Sequence, residues 1–423
     1  MSKLDAATRS MPPDELRLVL PAQVVEEILS AASKTMAAEP NLVDIRVTEY
    51  TQATPEPWCR CVPIPAGCTG GPVGDPRIHV CAGAKQVTLV GDLHGQYHDF
   101  LQLLEKAGEP SEDSVIVFNG DYVDRGAWGL ETYVTLLAWK ILLPNRVFLL
   151  RGNHETRFCS TSYGFKREVE TKYGAHSRHL FQKFLSTFTS HPLAAVVASS
   201  VLVCHGGLWR ELHPSRRKGA KNGGKKKDGG RKNGVPEGDR SLRVGSLEDL
   251  MKVRRTVQDP SGTGMSAILG DILWSDPSSE PGLKPNDGRG IGLLFGPDIT
   301  EEFLEKNHLR LIVRSHEGPD AREQRPDMLP MSHGYTVDHT VKSGKLMTLF
   351  SAPDYPQFQV MDKRFENKAA FFVLTAPDFW EPQIYTLDAV LPRPQVHAYY
   401  EVMSYMDSDD EMDAGKGHAS DAE

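Results

Sequence analysis

Gly91-Asp92-Leu93-His94-Gly95, Gly120-Asp121-Tyr122-Val123-Asp124-Arg125-Gly126 and Gly152-Asn153-His154-Glu155 are the stretches whose reading decides the fold of this 423-residue chain. Each follows a short apolar run of strand character, at 86–90, 115–118 and 146–150, and each precedes a segment of helical pattern. Strand, loop and helix repeated three times predict βαβ units, in which functional groups collect at the C-terminal ends of the strands.

Those three loops are dense in the groups that metal and phosphate chemistry uses. Asp92 and His94 stand two residues apart beyond a strand, where alternation turns both side chains to one side. The second loop adds two carboxylates, Asp121 and Asp124, and the guanidinium of Arg125, which can fork onto phosphate oxygens. The third adds Asn153 and His154. One such loop is ordinary turn chemistry, since Asp and Gly favour turns. Three in succession are not.

Further along, His205-Gly206-Gly207 follows the apolar run 201–204, and Arg314-Ser315-His316-Glu317 follows 311–313. An imidazole ends each strand, as in the first loop, whereas His191 and His339 read as satisfied buried histidines. Oxygen and imidazole donors without thiolate favour Mn, Fe or Zn over calcium or a structural zinc knot. Two such ions sharing a carboxylate acidify a bridging water and clamp phosphate oxygens for in-line attack. His154 backed by Asp124 is suited to protonate the leaving alkoxide. Arg125 and Arg289 are candidates for phosphoryl charge, although Arg289 by itself reads by default as a solvated loop arginine.

In chain order these motifs, together with residues 349–355, resemble the phosphoprotein phosphatase family of serine/threonine phosphatases over about residues 86–395. The resemblance implies an α/β metallophosphoesterase β-sandwich flanked by helices, with a dinuclear site at the strand ends. It implies that Asp92, His94 and Asp121 hold one metal and Asp121, Asn153, His205 and His316 the other. Arg125, Asn153, Arg289 and Tyr355 would meet phosphate, and His154 with Asp124 would be the acid. The segment Ser351-Ala352-Pro353-Asp354-Tyr355-Pro356-Gln357-Phe358-Gln359, the insertions 53–83 and 213–240 and the acidic end resemble the plant type-7 branch, with Asp354-Tyr355-Pro356 where many relatives have Asn-Tyr-Cys. A dinucleoside-polyphosphate hydrolase shares the first three motifs, but the last three favour the protein phosphatase. A catalytically silent scaffold would be expected to have lost a ligand or the acid, and none is missing.

Around this block the expected organisation is an N-terminal helical segment 1–52, a Pro/Gly/Cys-rich insertion 53–83, a catalytic domain 84–395 interrupted by the basic insertion 213–240, and an acidic tail 396–423. Residues 14–38 read as one or two amphipathic helices around Pro21, and 247–257 as a helix. Six cysteines are too few and too scattered for a disulfide scaffold or zinc site, and reduced thiols are expected; Cys59, Cys61 and Cys68 form a cluster.

The net charge of −8 hides nine Lys/Arg against one acid in residues 213–234. An acidic body with one basic segment argues against a nucleic-acid surface and for a local address. Nuclear import, contact with calmodulin or another acidic partner, and plain solvation all fit it, and the type-7 resemblance implies the nucleus, with the cytoplasm as the alternative. The segment 247–255 has a basic amphipathic look that also fits calmodulin, although core packing accounts for it as well. Ser408, among acids, fits an acid-directed kinase. No apolar run is long enough to cross a bilayer and no basic-then-apolar segment opens the chain, so an intracellular protein is expected.

Overall fold

The computed structural model describes residues 1–47, 78–81, 84–212, 242–357, 364–394 and 399. Most of the insertion 53–83, with Cys59, Cys61 and Cys68, lies outside the described residues. So do residues 213–241 and the acidic tail with Ser408.

The described strands are β1 (Leu42–Val47), β2 (Ile78–Cys81), β3 (Gln86–Val90), β4 (Ser114–Phe118), β5 (Val147–Leu149), β6 (Ala194–Val197), β7 (Val201–Cys204), β8 (Asp276–Pro277), β9 (Leu283–Pro285), β10 (Leu293–Phe295), β11 (Leu311–Arg314), β12 (Tyr335–Val341), β13 (Gly344–Leu349), β14 (Ala369–Thr375) and β15 (Gln383–Leu387). They form a five-stranded sheet in the order β15-β14-β3-β4-β5, a seven-stranded sheet in the order β12-β13-β11-β7-β6-β1-β2, and a small sheet β8-β10-β9. In the first, β3, β4 and β5 run parallel, Val90 beside Phe118 and Phe118 beside Leu149. In the second, β7, β11 and β13 run parallel.

The two large sheets face each other, and the alternation along their strands says how. Val115 and Val117 of β4 join Val87, Leu89, Val203, Val313 and Met347 in one apolar cluster, the interior of the sandwich. Their neighbours Ile116 and Phe118 point the other way, into a cluster with the helices Tyr97–Ala107 and Gly129–Leu142. Leu202, Cys204 and Ile312 do the same on the far sheet, against helices Ala267–Trp274 and Pro297–Asn307. Strands covered on both faces read as unbroken apolar runs, which is the pattern these segments have. The expected helix-flanked α/β sandwich is the fold observed.

Pro21 precedes the helix Ala22–Ala38, whose Val25, Leu29, Ala32 and Met36 are buried at helical spacing. Its C-terminal carbonyls are satisfied from a distance: Arg255 donates to Met36 O at 2.8 Å and Glu39 O at 2.7 Å.

Two expectations need correction. The segment 1–52 is not helical throughout, because β1 lies within it and pairs in parallel with β6 and β2 inside the seven-stranded sheet. The alternation Val43, Ile45, Val47 was the available signal. The helix expected over 247–257 spans only Leu247–Met251, opened by a capping box between Ser246 and Asp249. Beyond it the chain is drawn out to deliver Arg255 to its carbonyls. Leu247 and Leu250 are core residues, in keeping with packing rather than a free amphipathic face.

Candidate active site

All six candidate metal ligands stand where strands end. Asp92 and His94 follow β3, Asp121 follows β4, Asn153 follows β5, His205 follows β7 and His316 follows β11. Each is buried. The backbone that places them is strained: His94, Asp121, Asp124, Arg125, His316 and Asp354 all have positive φ, between 44° and 74°. Non-glycine residues in that region are costly and concentrate where function requires the geometry. Glycine is needed at 152, because a Cβ there would stand 2.2 Å from Asp121 Oδ1.

The hydrogen bonds of the rings reveal the donor set. His205 Nδ1 lies 2.8 Å from the carbonyl of Asn119, which can only accept, so Nδ1 carries the proton. In the neutral ring Nε2 then presents a lone pair, 2.8 Å from Asn153 Oδ1 and 3.3 Å from Asp121 Oδ1. Asn153 Oδ1 is also 2.9 Å from His316 Nδ1. Acceptors crowding one another in a buried place call for a cation. On the other side, His94 Nδ1 meets Val123 O at 3.1 Å, leaving Nε2 to face Asp92 Oδ2 at 3.8 Å and Asp121 Oδ2 at 3.7 Å. Those gaps are too long for hydrogen bonds. Asp92 Oδ2 and His316 Nε2 are buried with no hydrogen-bond partner among the described residues.

Asp121 is the centre of this arrangement, one oxygen toward His94 and the other toward His205. The residues fit two ions sharing one carboxylate. His94-Asp121-His154 and Asp121-His205-His316 are each close enough to hold an ion. His154 belongs to the first set by distance, but its Nδ1 is already engaged at 2.7 Å by Asp124 Oδ2. Asp124 is fixed in turn by Phe165 N–H, which donates to Oδ1 at 2.9 Å. Burial holds the His154 imidazole down to about 4, with Asp121 opposing the shift, and pushes the Asp124 carboxyl well up.

The phosphate candidates surround the same point. The Arg125 guanidinium lies 4.1 Å from the centroid of Tyr163, and the Tyr163 ring is 5.2 Å from that of His154. The Tyr355 ring is 5.3 Å from His94. Arg289 is not a solvated loop arginine: its Nε donates to Asp276 Oδ2 at 2.5 Å. Asp276 Oδ1 is 3.9 Å from His316 Nε2, which ties Arg289 to the site. His191 and His339 are satisfied as expected, by Tyr133 and Leu150 and by Thr300 and Ser278.

Three supports escaped the reading of the sequence. Asn119 accepts from His205 through its carbonyl and donates through Nδ2 to Cys204 O and Ser315 Oγ. Glu155 accepts the N–H groups of Asp121, Tyr122 and Gly152 at 2.8 to 3.0 Å, joining the second and third loops. Asp276 accepts from Arg289, Arg314 and Asn286. Glu155 adjoins a motif and could have been suspected. Asp276 carries no local signal, since its partners come from two other segments, 286–289 and Arg314. Cys159 and Cys204 are buried free thiols.

Comparison with known proteins agrees with the geometry. The family model for calcineurin-like phosphoesterases matches residues 85–320. The chain is 46% identical over 416 residues to serine/threonine-protein phosphatase 7 of Arabidopsis thaliana, covering 98% of this chain and 91% of that one. It is 36% identical over 312 residues to human serine/threonine-protein phosphatase 5, covering 74% of this chain and 50% of the relative. A solved serine/threonine phosphatase of Saccharomyces cerevisiae, similar to human phosphatase PP5, superposes with a TM-score of 0.62 at 30% identity, covering 90% of this chain and 93% of that one. With a donor set for two ions, an engaged histidine and aspartate, and these relatives, the chain belongs to the calcineurin-like phosphoesterases, among the serine/threonine-protein phosphatases of the type-7 kind.

Proposed function

We propose that this phosphatase hydrolyses phosphoserine and phosphothreonine in proteins with Asp92, His94 and Asp121 holding one metal ion and Asp121, Asn153, His205 and His316 the other. The observation that carries this reading is the Asp121 carboxylate, whose two oxygens face two different sets of donors. Bound ions supply positive charge to the phosphoryl oxygens and acidify the attacking water. Mn suits the mixed oxygen and imidazole donors, as Fe and Zn do.

The protein's own groups do the rest. Arg125, Arg289, Asn153 and Tyr355 receive the phosphoryl group, with Arg125 and Arg289 balancing its charge. Asp124 orients His154 through Nδ1, which leaves Nε2 free to give its proton to the departing serine or threonine oxygen. Burial disfavours charge on both members.

Purified protein assayed with Mn on phosphopeptides and on diadenosine tetraphosphate, with metal analysis alongside, tests the reading. Phosphopeptide turnover with about two ions per chain is expected. Faster cleavage of the dinucleotide would overturn it.

The basic segment at 213–240 fits an address for an import receptor and hence the nucleus, with calmodulin the second partner its charge suits. Replacing Arg216, Arg217 and Lys218 with alanine should then redistribute a fluorescent fusion toward the cytoplasm. An unchanged distribution would remove the import role.

A further inference from the structure

We propose that Arg393, at the C-terminal end of the described catalytic domain, is a positioning residue that sets where Tyr355 stands in the site. The inference rests on the assignment of Tyr355 to the phosphate end of that site.

Tyr355 belongs to a loop leaving β13, and the carbonyl of Pro353, two residues before it, is one of the points that anchor it. Pro353 O accepts two hydrogen bonds, from Gln96 Nε2 at 2.8 Å and from Arg393 Nη2 at 2.7 Å. Gln96 lies two residues beyond His94, so one donor ties the loop to the first metal-ligand segment. The other comes from a strap about 40 residues further along the chain. Both donors also converge on Asp99, Gln96 Nε2 at 2.9 Å and Arg393 Nη2 at 3.2 Å. Asp99 Oδ1 accepts the N–H of Val390 at 2.7 Å, which holds the strap in register.

The position of Arg393 is not that of a surface ion pair. Its side chain is only 10% exposed, and Nε and Nη1 find no hydrogen-bond partner among the described residues. A guanidinium kept in so dry a place is expensive to bury, and its good contacts are those to Pro353 and Asp99. On the far side of Pro353 the loop is held by Asn367, which receives Tyr355 N–H at 3.0 Å and donates to Ala352 O at 2.9 Å. With Asn367 on one side and Arg393 on the other, Tyr355 meets the His94 and Phe350 rings at 5.3 and 5.1 Å. Losing the Arg393 bond would leave the Pro353 carbonyl on Gln96 alone and allow the Tyr355 ring to swing. The strap carrying Val390 and Arg393 is therefore connected directly to the geometry of the site.

The test is a double-mutant cycle of Arg393→Gln and Tyr355→Ala, reading kcat and KM on a phosphopeptide, metal content and unfolding temperature. Arg393→Gln should lower kcat/KM about tenfold, the size of one charge-assisted hydrogen bond, with metal content unchanged. Arg393→Lys should recover part of that loss, because an ammonium reaches one acceptor without the fork. In the Tyr355→Ala background Arg393→Gln should change kcat/KM less than twofold, since the residue it positions is gone. Should Arg393→Gln not fold, Asp99→Asn in both backgrounds carries the same comparison. Equal losses in both backgrounds, or a loss that follows metal release or unfolding, would overturn the proposal. So would a Tyr355→Ala variant with full activity. A wild-type chain inactive on phosphopeptides would remove the catalytic assignment first and this one with it.

Discussion

His154 Nδ1 and Asp124 Oδ2 lie 2.7 Å apart, both buried, with the second Asp124 oxygen fixed by Phe165 N–H. An imidazole so held has one nitrogen committed and one facing the site. Asp124→Asn should keep the fold and the metals but lower kcat on phosphopeptides by about 100-fold, within the range for general acid catalysis. The loss should shrink to a few-fold on p-nitrophenyl phosphate, whose leaving group needs little protonation. Steady-state kinetics on the two substrates decides it, and an equal loss on both would remove the acid role.

Glu155 receives three backbone N–H groups from the loops that carry Asp121 and Asn153, and is not itself among the candidate ligands. Glu155→Ala should therefore weaken metal retention, by about 10- to 100-fold in affinity as for other groups that orient ligands. Metal titration of the stripped protein measures this. Unchanged affinity with lost activity would place Glu155 elsewhere in the mechanism.

Asp276 holds Arg289 and Arg314 together. Removing its charge by Asp276→Asn leaves the partly buried Arg289 without its carboxylate and the buried Arg314 with Glu317 alone. The expected outcome is a higher KM for phosphopeptide from a mobile Arg289 and a lower unfolding temperature from an exposed cost at Arg314. Arg289→Gln should reproduce the KM effect without the second.

His98, which is not among the candidate metal ligands, gives a pH dependence. Its ring packs on Trp128, with centroids 4.4 Å apart, and Nε2 meets Thr8 Oγ1 at 2.9 Å in the N-terminal helix Ser2–Ser10. Burial, then the Arg9 charge, hold its pKa down to about 4, against the partial opposition of Asp5. The folded state thus binds the proton less readily than the unfolded chain. The stability this neutral ring contributes is fully present above about 6.5 and is lost progressively as pH falls toward about 4. Thermal unfolding of wild type should fall more steeply between pH 6.5 and 4 than that of His98→Gln. Parallel curves would exclude His98.

Arg255 caps the helix Ala22–Ala38 from a segment over 200 residues away, and Arg255→Ala leaves the carbonyls of Met36 and Glu39 without that donor. A cost of about 3 kcal/mol is expected from two hydrogen bonds to a charged group. Chemical denaturation should show a lower midpoint with kcat nearly unchanged.

Much of the site was readable because its ligands sit immediately after strands. A short apolar run bounded by turn residues marks a strand and its end, so the residue following it is placed by the same local signal, as for Asp92, Asp121, His205 and His316. The strand β1 was hidden by an N-terminal region dominated by helical spacing, and the helix at 247 was read too long because Arg255 leaves it for a distant partner. Propensity is local, and the groups that overrode it were not.

The sequence by itself determined the α/β architecture, the candidate metal donors and the pairing of a histidine with a carboxylate, because residue type and strand-end position are properties of short segments. Only the tertiary structure decided that Asp121 faces two donor sets, that Arg289 is held by Asp276 and that the Arg393 strap braces Pro353. Those relations join residues 13 to 84 positions apart. They exist because burial leaves polar groups to find partners across the fold, and that search has no counterpart along the chain.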